Sequence, residues 1–283
     1  MRPEWCDELI LGALAKDSPF GDITTRLLGA GKKEAKGVLF PRQRCTLFGV
    51  ECARRTFQLV GAESRVPEGI REGMEVEREK VVLEVEGRSE DLLLAERTAL
   101  NLISHLSGIA TATAELVRLA RKVNPKVIVA ATRKVTPGMG FLEKMAVEAG
   151  GGGTHRFSLS DMVLIKDNHL ALLGGGVRAV KEAIERIRDK DPFHKIEVEV
   201  GTLQEALSAV EAGADMIMLD NFSPAEAERA YREIKRRNSN ILVEVSGGID
   251  PENIAEYAPH ADIISSGYIT HSAPSVDFTL EIL

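Results

Sequence analysis

Six short stretches of the chain end in residues able to bind anions or to meet developing charge. They are Arg133 with Lys134; Lys166, Asp167, Asn168 and His169; Glu199; Asp220 with Asn221; Ser246, Gly247 and Gly248; and Ser265, Ser266 and Gly267. A further stretch runs from four glycines at 150–153 through Thr154 to His155 and Arg156. Guanidinium groups grip carboxylates through paired hydrogen bonds, whereas an ammonium acts as a point charge. Glycine lets backbone N–H groups come close to a phosphate, and a following helix N-terminus adds a favourable dipole. Carboxylates beside such groups stabilise positive charge that develops during a reaction. The combination suits a phosphorylated, anionic small molecule.

These residues terminate β-branched runs, and the runs predict the elements that hold them. From residue 127 onward strands are expected at 127–134, 162–169, 195–202, 215–221, 241–248 and 262–268. Amphipathic helices alternate with them at 177–189, 203–212, 224–237 and 251–257. That alternation is the pattern of a parallel, barrel-like α/β domain, whose chemistry belongs at the carboxyl ends of its strands. In Ile196-Glu197-Val198-Glu199-Val200 the apolar side chains share the face that meets the outer helices, so Glu197 and Glu199 point inward. Breaking a buried ion pair costs on the order of 3–5 kcal/mol, so two interior acids require cations. Lys166, Arg133, Lys134, Arg156 or a metal are the candidates. Four consecutive glycines are costly to order, which predicts a turn at 150–153 that hugs a ligand.

The first 90 residues are written differently. A helical start is followed by strand-like runs at 37–40, 45–50 and 81–85, separated by Gly, Pro and charge, which predicts an α+β domain. A long helix is expected over 90–123. Its wheel places Ala99, Leu102, Ile103, Leu106 and Ala110 on a buried face and Arg97, Asn101, Ser104 and Gly108 on the opposite one. Arg97 therefore points away from its own core.

A net charge of −7 argues against nucleic acid or an anionic membrane as partner, so any anion site must be a local concentration of Lys and Arg. No apolar run approaches the roughly 20 residues needed to cross a bilayer. Residues 1–16 mix acids with apolar residues and are expected to form an amphipathic helix rather than a secretion signal. Cys6, Cys45 and Cys52 show neither a disulfide framework nor zinc-site spacing; reduced thiols in a cytoplasmic protein are expected.

Several motifs in collinear order carry a family resemblance. They are Glu96-Arg97-Thr98-x-Leu100-Asn101, Ser107-Gly108-Ile109-Ala110-Thr111, Ala131-Thr132-Arg133-Lys134-x-Thr136-Pro137-Gly138, Leu142-Glu143-Lys144-x-Ala146-Val147, His155-Arg156 after the glycines, Leu164-Ile165-Lys166-Asp167-Asn168-His169, Val198-Glu199-Val200, Leu219-Asp220-Asn221 and Ser246-Gly247-Gly248. Together they span nearly the whole chain, which resembles the quinolinate phosphoribosyltransferases.

The resemblance implies an incomplete parallel α/β barrel with an N-terminal α/β sandwich domain. The sandwich is expected over 1–109, completed by 271–283, and the catalytic barrel over 110–270. It also implies a homodimer with shared active sites, leaves further assembly open, and makes Arg97 a residue donated to the partner's site. Quinolinate would be held by Arg133, Lys134, His155, Arg156 and His169 with that Arg97, while Lys166 would bridge the two substrates. Glu199 and Asp220 would face the ribose of phosphoribosyl pyrophosphate and help to hold Mg²⁺, and Ser246, Gly247, Gly248, Ser266 and Gly267 would receive the 5′-phosphate. Lys166, Glu199 and Asp220 are thus the expected catalytic residues. Thr154 departs from the asparagine usual in the family, and its hydroxyl is expected to orient His155. The alternatives are a molybdenum-transport-associated relative of the same fold, a non-catalytic phosphosugar-binding protein and a nicotinate phosphoribosyltransferase.

Overall fold

The computed structural model describes residues 6–283. They form two compact units: one comprises the residues up to Ala114 together with Thr136–Gly151 and Ser272–Leu283, the other Glu115–Val135 and Gly152–His271.

In the first unit α1 (Asp7–Asp17) buries Ile10 and Leu14; the part of the expected first helix that falls on residues 1–5 lies outside the described residues. Helix α2 (Ile23–Leu28) starts where the Asp22 side chain accepts from the Thr24 N–H, 2.9 Å away, and stops at Gly29, whose φ of 65° is left-handed. Then follow β1 (Glu34–Pro41), β2 (Cys45–Thr46), α3 (Val50–Leu59), β3 (Glu63–Arg65), β4 (Glu75–Val76), β5 (Leu83–Arg88), α4 (Ser89–Val123), whose end from Glu115 onward belongs to the second unit, and α5 (Gly140–Ala149). The C-terminal strand, Phe278–Ile282, pairs antiparallel with β1 from Gly37↔Ile282 to Pro41↔Phe278. The other side of β1 pairs with β5, and β5 pairs with β3, also antiparallel. Leu39, Leu83, Val85, Phe278 and Leu280 of this sheet share a core with Phe57 of α3 and Leu92, Ala95, Ala99 and Ile103 of α4.

Two expectations are corrected here. The run 45–50 is a strand only at Cys45–Thr46, because Gly49 (φ 97°) turns the chain and Val50 opens α3. The amides of Gly49 and Glu51 at that helix start donate to the Glu72 carboxylate, capping donors that a strand would have paired otherwise. The polar side of α4 is exposed at Arg97 and Asn101 but not at Gly108, which is buried. A Cβ on Gly108 would overlap the Pro274 carbonyl and lie 3.0 Å from Ser275 Cα, and the neighbouring Ser104 carbonyl accepts from the Val276 N–H. Gly108→Ala should therefore destabilise the protein by about 1–3 kcal/mol, measured as a lowered thermal midpoint. By packing, residues 136–151 group with the first unit.

The second unit contains a six-stranded sheet, β6 (Ile128–Ala131), β7 (Val163–Ile165), β8 (Ile196–Val200), β9 (Met216–Asp220), β10 (Leu242–Ser246) and β11 (Ile263–Ser266), in the order β6-β11-β10-β9-β8-β7. Every adjacent pair is parallel. The connecting helices are α6 (Asp167–Leu172), α7 (Gly176–Arg188), α8 (Leu203–Glu211), α9 (Pro224–Arg237), α10 (Ile254–Tyr257) and α11 (Tyr268–His271). The sheet keeps two edges, β6 and β7, so the architecture is the expected incomplete parallel α/β barrel.

Helix starts follow their capping residues. Thr202 accepts from the Glu205 N–H ahead of α8, and Ser223 forms a capping box with Glu226 ahead of α9. The six strands are shorter than the runs that announced them. The run 162–169 ends as a strand at Ile165; Lys166 then caps α6, with its N–H donating to His169 Nδ1 over 2.9 Å. Tyr268 likewise opens α11 instead of closing a strand. Among the described residues no helix is long and apolar enough to cross a membrane.

Candidate active site

A cleft of about 450 Å³ opens where the carboxyl ends of the second unit's strands converge. After β6 it is lined by Thr132, Arg133 and Lys134. This loop is pinned at both ends of the dipeptide: the Lys134 N–H donates to Thr132 Oγ1 over 3.0 Å, and Thr270 Oγ1 donates to the Lys134 carbonyl over 2.7 Å. His155 and Arg156 reach the cleft because Gly153 extends β6 sideways, its N–H donating to the Val129 carbonyl and its carbonyl accepting from the Ala131 N–H.

Gly150 and Gly153, the two ends of the glycine run, each pack closely on protein. A Cβ on Gly150 would lie 2.5 Å from the Ala110 carbonyl, and one on Gly153 would lie 3.0 Å from Ile128 Cγ2. Arg156 is buried, which together with the nearby Arg133 pulls its pKa down, while Glu197, Asp161 and Glu199 oppose the shift.

The acids come from the middle of the sheet. Glu199 at the end of β8 pairs with Lys166 at the end of β7, joining a nearly buried carboxylate to a half-exposed ammonium. Asp220 ends β9, and its Oδ2 accepts from Asn221 Nδ2 over 2.7 Å. Asn221 is left-handed (φ 56°), and its N–H donates to the Ser246 carbonyl over 2.9 Å, tying the end of β9 to the end of β10. There Gly247 (φ 104°) and Gly248 (φ 60°) form a turn whose carbonyl at Gly248 accepts from Asn253 Nδ2.

Ten of the fourteen residues expected to bind substrate or to catalyse therefore share this cleft, together with Asn221 and Ser265: Arg133, Lys134, His155, Arg156, Lys166, Glu199, Asp220, Ser246, Gly247 and Gly248. Four do not line it. His169 accepts from the Lys166 N–H and faces a separate groove with Leu172 and Arg186. The hydroxyl of Ser266 is committed to the Ile249 carbonyl and accepts from the Tyr268 N–H. Gly267 is required by a neighbour, since a Cβ there would stand 2.6 Å from His271 Nε2. Arg97 is exposed on α4 in the first unit.

The structure adds one acid that the sequence reading missed. Glu244, fully buried on β10, lies with its Oε2 3.1 Å from His155 Nε2, and Glu197 Oε2 lies 3.2 Å from the same nitrogen. The signal was present in Val243-Glu244-Val245, the same alternation that marked Glu197. So the cation against Glu197 is His155, which was not among the candidates named for it. Burial works against a charged ring, yet the two carboxylates together push His155 up to about 10. Burial, reinforced by the charge of Glu244, pushes Glu197 up to about 7, with His155 opposing. The Thr154 hydroxyl donates to the His155 carbonyl over 3.1 Å, and the imidazole is met by the two glutamates.

The chain matches the family described as quinolinate phosphoribosyl transferase, C-terminal domain, over residues 109–281, and the corresponding N-terminal domain over residues 22–107. The chain belongs to the quinolinate phosphoribosyltransferase family. It is 47% identical over 268 residues to a probable nicotinate-nucleotide pyrophosphorylase [carboxylating] of Archaeoglobus fulgidus, covering 94% of this chain and 99% of that one. It is 44% identical over 289 residues to a protein of the same description from Methanocaldococcus jannaschii, covering 100% and 99%. The crystal structure of NadC from Streptococcus pyogenes superposes with a TM-score of 0.88 at 37% identity, covering 100% of this chain and 99% of that one. The two quinolinate phosphoribosyltransferase segments meet at residues 107–109, inside the continuous helix α4.

Proposed function

We propose that the chain is a carboxylating nicotinate-nucleotide pyrophosphorylase: it joins quinolinate to phosphoribosyl pyrophosphate, releases pyrophosphate and carbon dioxide, and forms nicotinate mononucleotide for NAD synthesis. The observation that carries this reading is the convergence of Arg133, Arg156, Lys134 and Lys166 with Glu199, Asp220 and the Ser246–Gly248 turn around one cleft.

In that cleft Arg133 and Arg156 bind the two carboxylates of quinolinate, aided by Lys134 and His155. The pyridine nitrogen attacks the anomeric carbon as pyrophosphate leaves, and Glu199 and Asp220 stabilise the positive charge that builds on the ribose. The quaternised ring nitrogen then accepts the electron pair of the adjacent carbon–carboxylate bond, carbon dioxide departs, and the ring carbon takes up a proton. Lys166 pairs with Glu199 and lies where both substrates meet. The Ser246–Gly248 turn offers its amides to the 5′-phosphate.

Magnesium enters the same reading. Asp220 presents an oxygen donor oriented by Asn221 at the cleft, which suits a hard ion held jointly with substrate phosphates. Glu199 is the weaker donor because Lys166 already holds it. When bound, the ion would neutralise charge on the departing pyrophosphate.

The proposal includes a homodimer in which Arg97, exposed on α4, serves the partner's cleft. Mixing Arg97→Ala subunits with Lys166→Ala subunits should then restore about a quarter of the sites in randomly exchanged dimers, since one site per mixed dimer is intact. Lack of complementation would place Arg97 outside catalysis in trans. Cys6, Cys45 and Cys52 are buried and form no disulfide among the described residues, which fits a reducing cytoplasm. A non-catalytic phosphosugar binder is disfavoured, because a pure binder of polyanions gains nothing from carboxylates at Glu199 and Asp220.

The direct test incubates the purified protein with phosphoribosyl pyrophosphate, Mg²⁺ and either quinolinate or nicotinate. Carbon dioxide release and nicotinate mononucleotide formation with quinolinate support the reading. Turnover of nicotinate alone would replace it.

A further inference from the structure

We infer that Glu197 and Glu244 are positioning residues for the reaction: from two separate strands they grip Nε2 of His155, leaving Nδ1 as the atom through which the ring serves the cleft it lines. The inference rests on the phosphoribosyl-transfer reading above.

Three observations carry it. First, the two glutamates stand on β8 and β10, with β9 between them, yet both bring Oε2 to the same nitrogen, at 3.2 and 3.1 Å. Second, both side chains are fully buried, and neither their carboxylate oxygens nor His155 Nε2 makes a well-aligned hydrogen bond, so what holds the three groups together is the ionic contact. Burying two acids around one imidazole lowers stability relative to apolar residues of the same size, so the arrangement is explained by what it does for His155 and not by what it does for the core. Third, His155 itself is a non-glycine residue at φ 50°. A left-handed residue costs about 1–2 kcal/mol, and the conformation is held because it turns the ring inward to the acids.

The chemical consequence concerns hydrogen-bond donors. A neutral imidazole offers one N–H, and if that sits at Nε2 the other nitrogen is an acceptor that repels a carboxylate; a ring kept cationic donates from both nitrogens. The upward shift of His155 caused by the two carboxylates agrees with the second state. Nδ1–H is then a constant donor for an anionic oxygen of the dicarboxylate substrate. Because Glu197 and Glu244 share Nε2, either alone retains part of the grip.

The test uses the full-length enzyme with Glu197→Gln, Glu244→Gln, the double variant and His155→Ala, and varies quinolinate and phosphoribosyl pyrophosphate separately. Glutamine keeps the shape and removes the charge. Each single variant should raise KM for quinolinate severalfold and the double variant about tenfold or more, with KM for phosphoribosyl pyrophosphate unchanged within about twofold. Adding His155→Ala to either glutamate variant should cost nothing beyond His155→Ala alone, since the three groups act as one unit. An equal rise in both KM values, an unchanged KM for quinolinate, or fully additive effects would each overturn the assignment. If the double variant does not fold, the single variants combined with His155→Ala decide the matter by the same non-additivity. Wild-type carbon dioxide release in the same assays separates failure of this inference from failure of the proposed reaction.

Discussion

Lys166→Ala should lower kcat by about a hundredfold to a thousandfold, the usual cost of removing one preorganised electrostatic contact from a transition state. The reason is the pairing with Glu199. Without the ammonium, a carboxylate with little solvent access faces the incoming anionic substrates, and the electrostatics of the cleft reverse at the point where the two substrates meet. Stability should change little: the Lys166 side chain is 42% exposed, so loss of the pair costs under about 1 kcal/mol. Kinetics measured beside a thermal melt separate the two effects. A variant that loses stability in proportion to its activity would show that Lys166 holds the fold instead of the reaction, and near-normal turnover would remove it from the site.

Gly247→Val should be the next most damaging change, raising KM for phosphoribosyl pyrophosphate by about tenfold or more and destabilising the protein by about 1–3 kcal/mol. Two causes act together. A β-branched residue resists φ 104°, and a Cβ there would overlap the Asn221 amide and stand 3.0 Å from its backbone nitrogen. Displacing Asn221 also releases the hydrogen bond that orients Asp220, so damage to the phosphate turn spreads to the ribose side of the cleft. Gly248→Ala is the matched control. It has φ 60° but no atom within 4 Å of a new Cβ, so only the backbone cost of about 1–2 kcal/mol applies. Equal effects of the two substitutions on KM would show that backbone conformation, and not Asn221, is what matters.

The parallel half of the fold was legible because its signals are local. β-branched runs, helix caps such as Ser223 and Thr202, and glycines or charges at run ends all act within a few residues of themselves. The first unit was harder. A run such as 45–50 is apolar in either a strand or a helix start, and what decided it was Gly49 together with the capping carboxylate of Glu72, 23 residues away in sequence from Gly49. Gly108 was misplaced for a related reason: helical periodicity assigns it to the polar face of α4, but the returning segment at Pro274 and Ser275 covers that face, and periodicity contains no term for a distant segment. The glycines at 150–153 pointed to close approach, and at Gly150 and Gly153 the neighbours are the Ala110 carbonyl and the strand β6.

By itself the sequence determined which chemistry this protein has available: the guanidinium and ammonium groups, the acids at Glu199 and Asp220, the glycine turn after β10, and their placement at the ends of parallel strands. Tertiary structure alone decided how those groups pair. It set Lys166 against Glu199, drew Glu197 and Glu244 from separate strands onto His155, and turned His169 and Ser266 to hydrogen bonds outside the cleft. Residue type and alternation specify the face on which a side chain stands, whereas an ion pair depends on distances of a few ångström between strands whose order, β6-β11-β10-β9-β8-β7, is not the order of the chain.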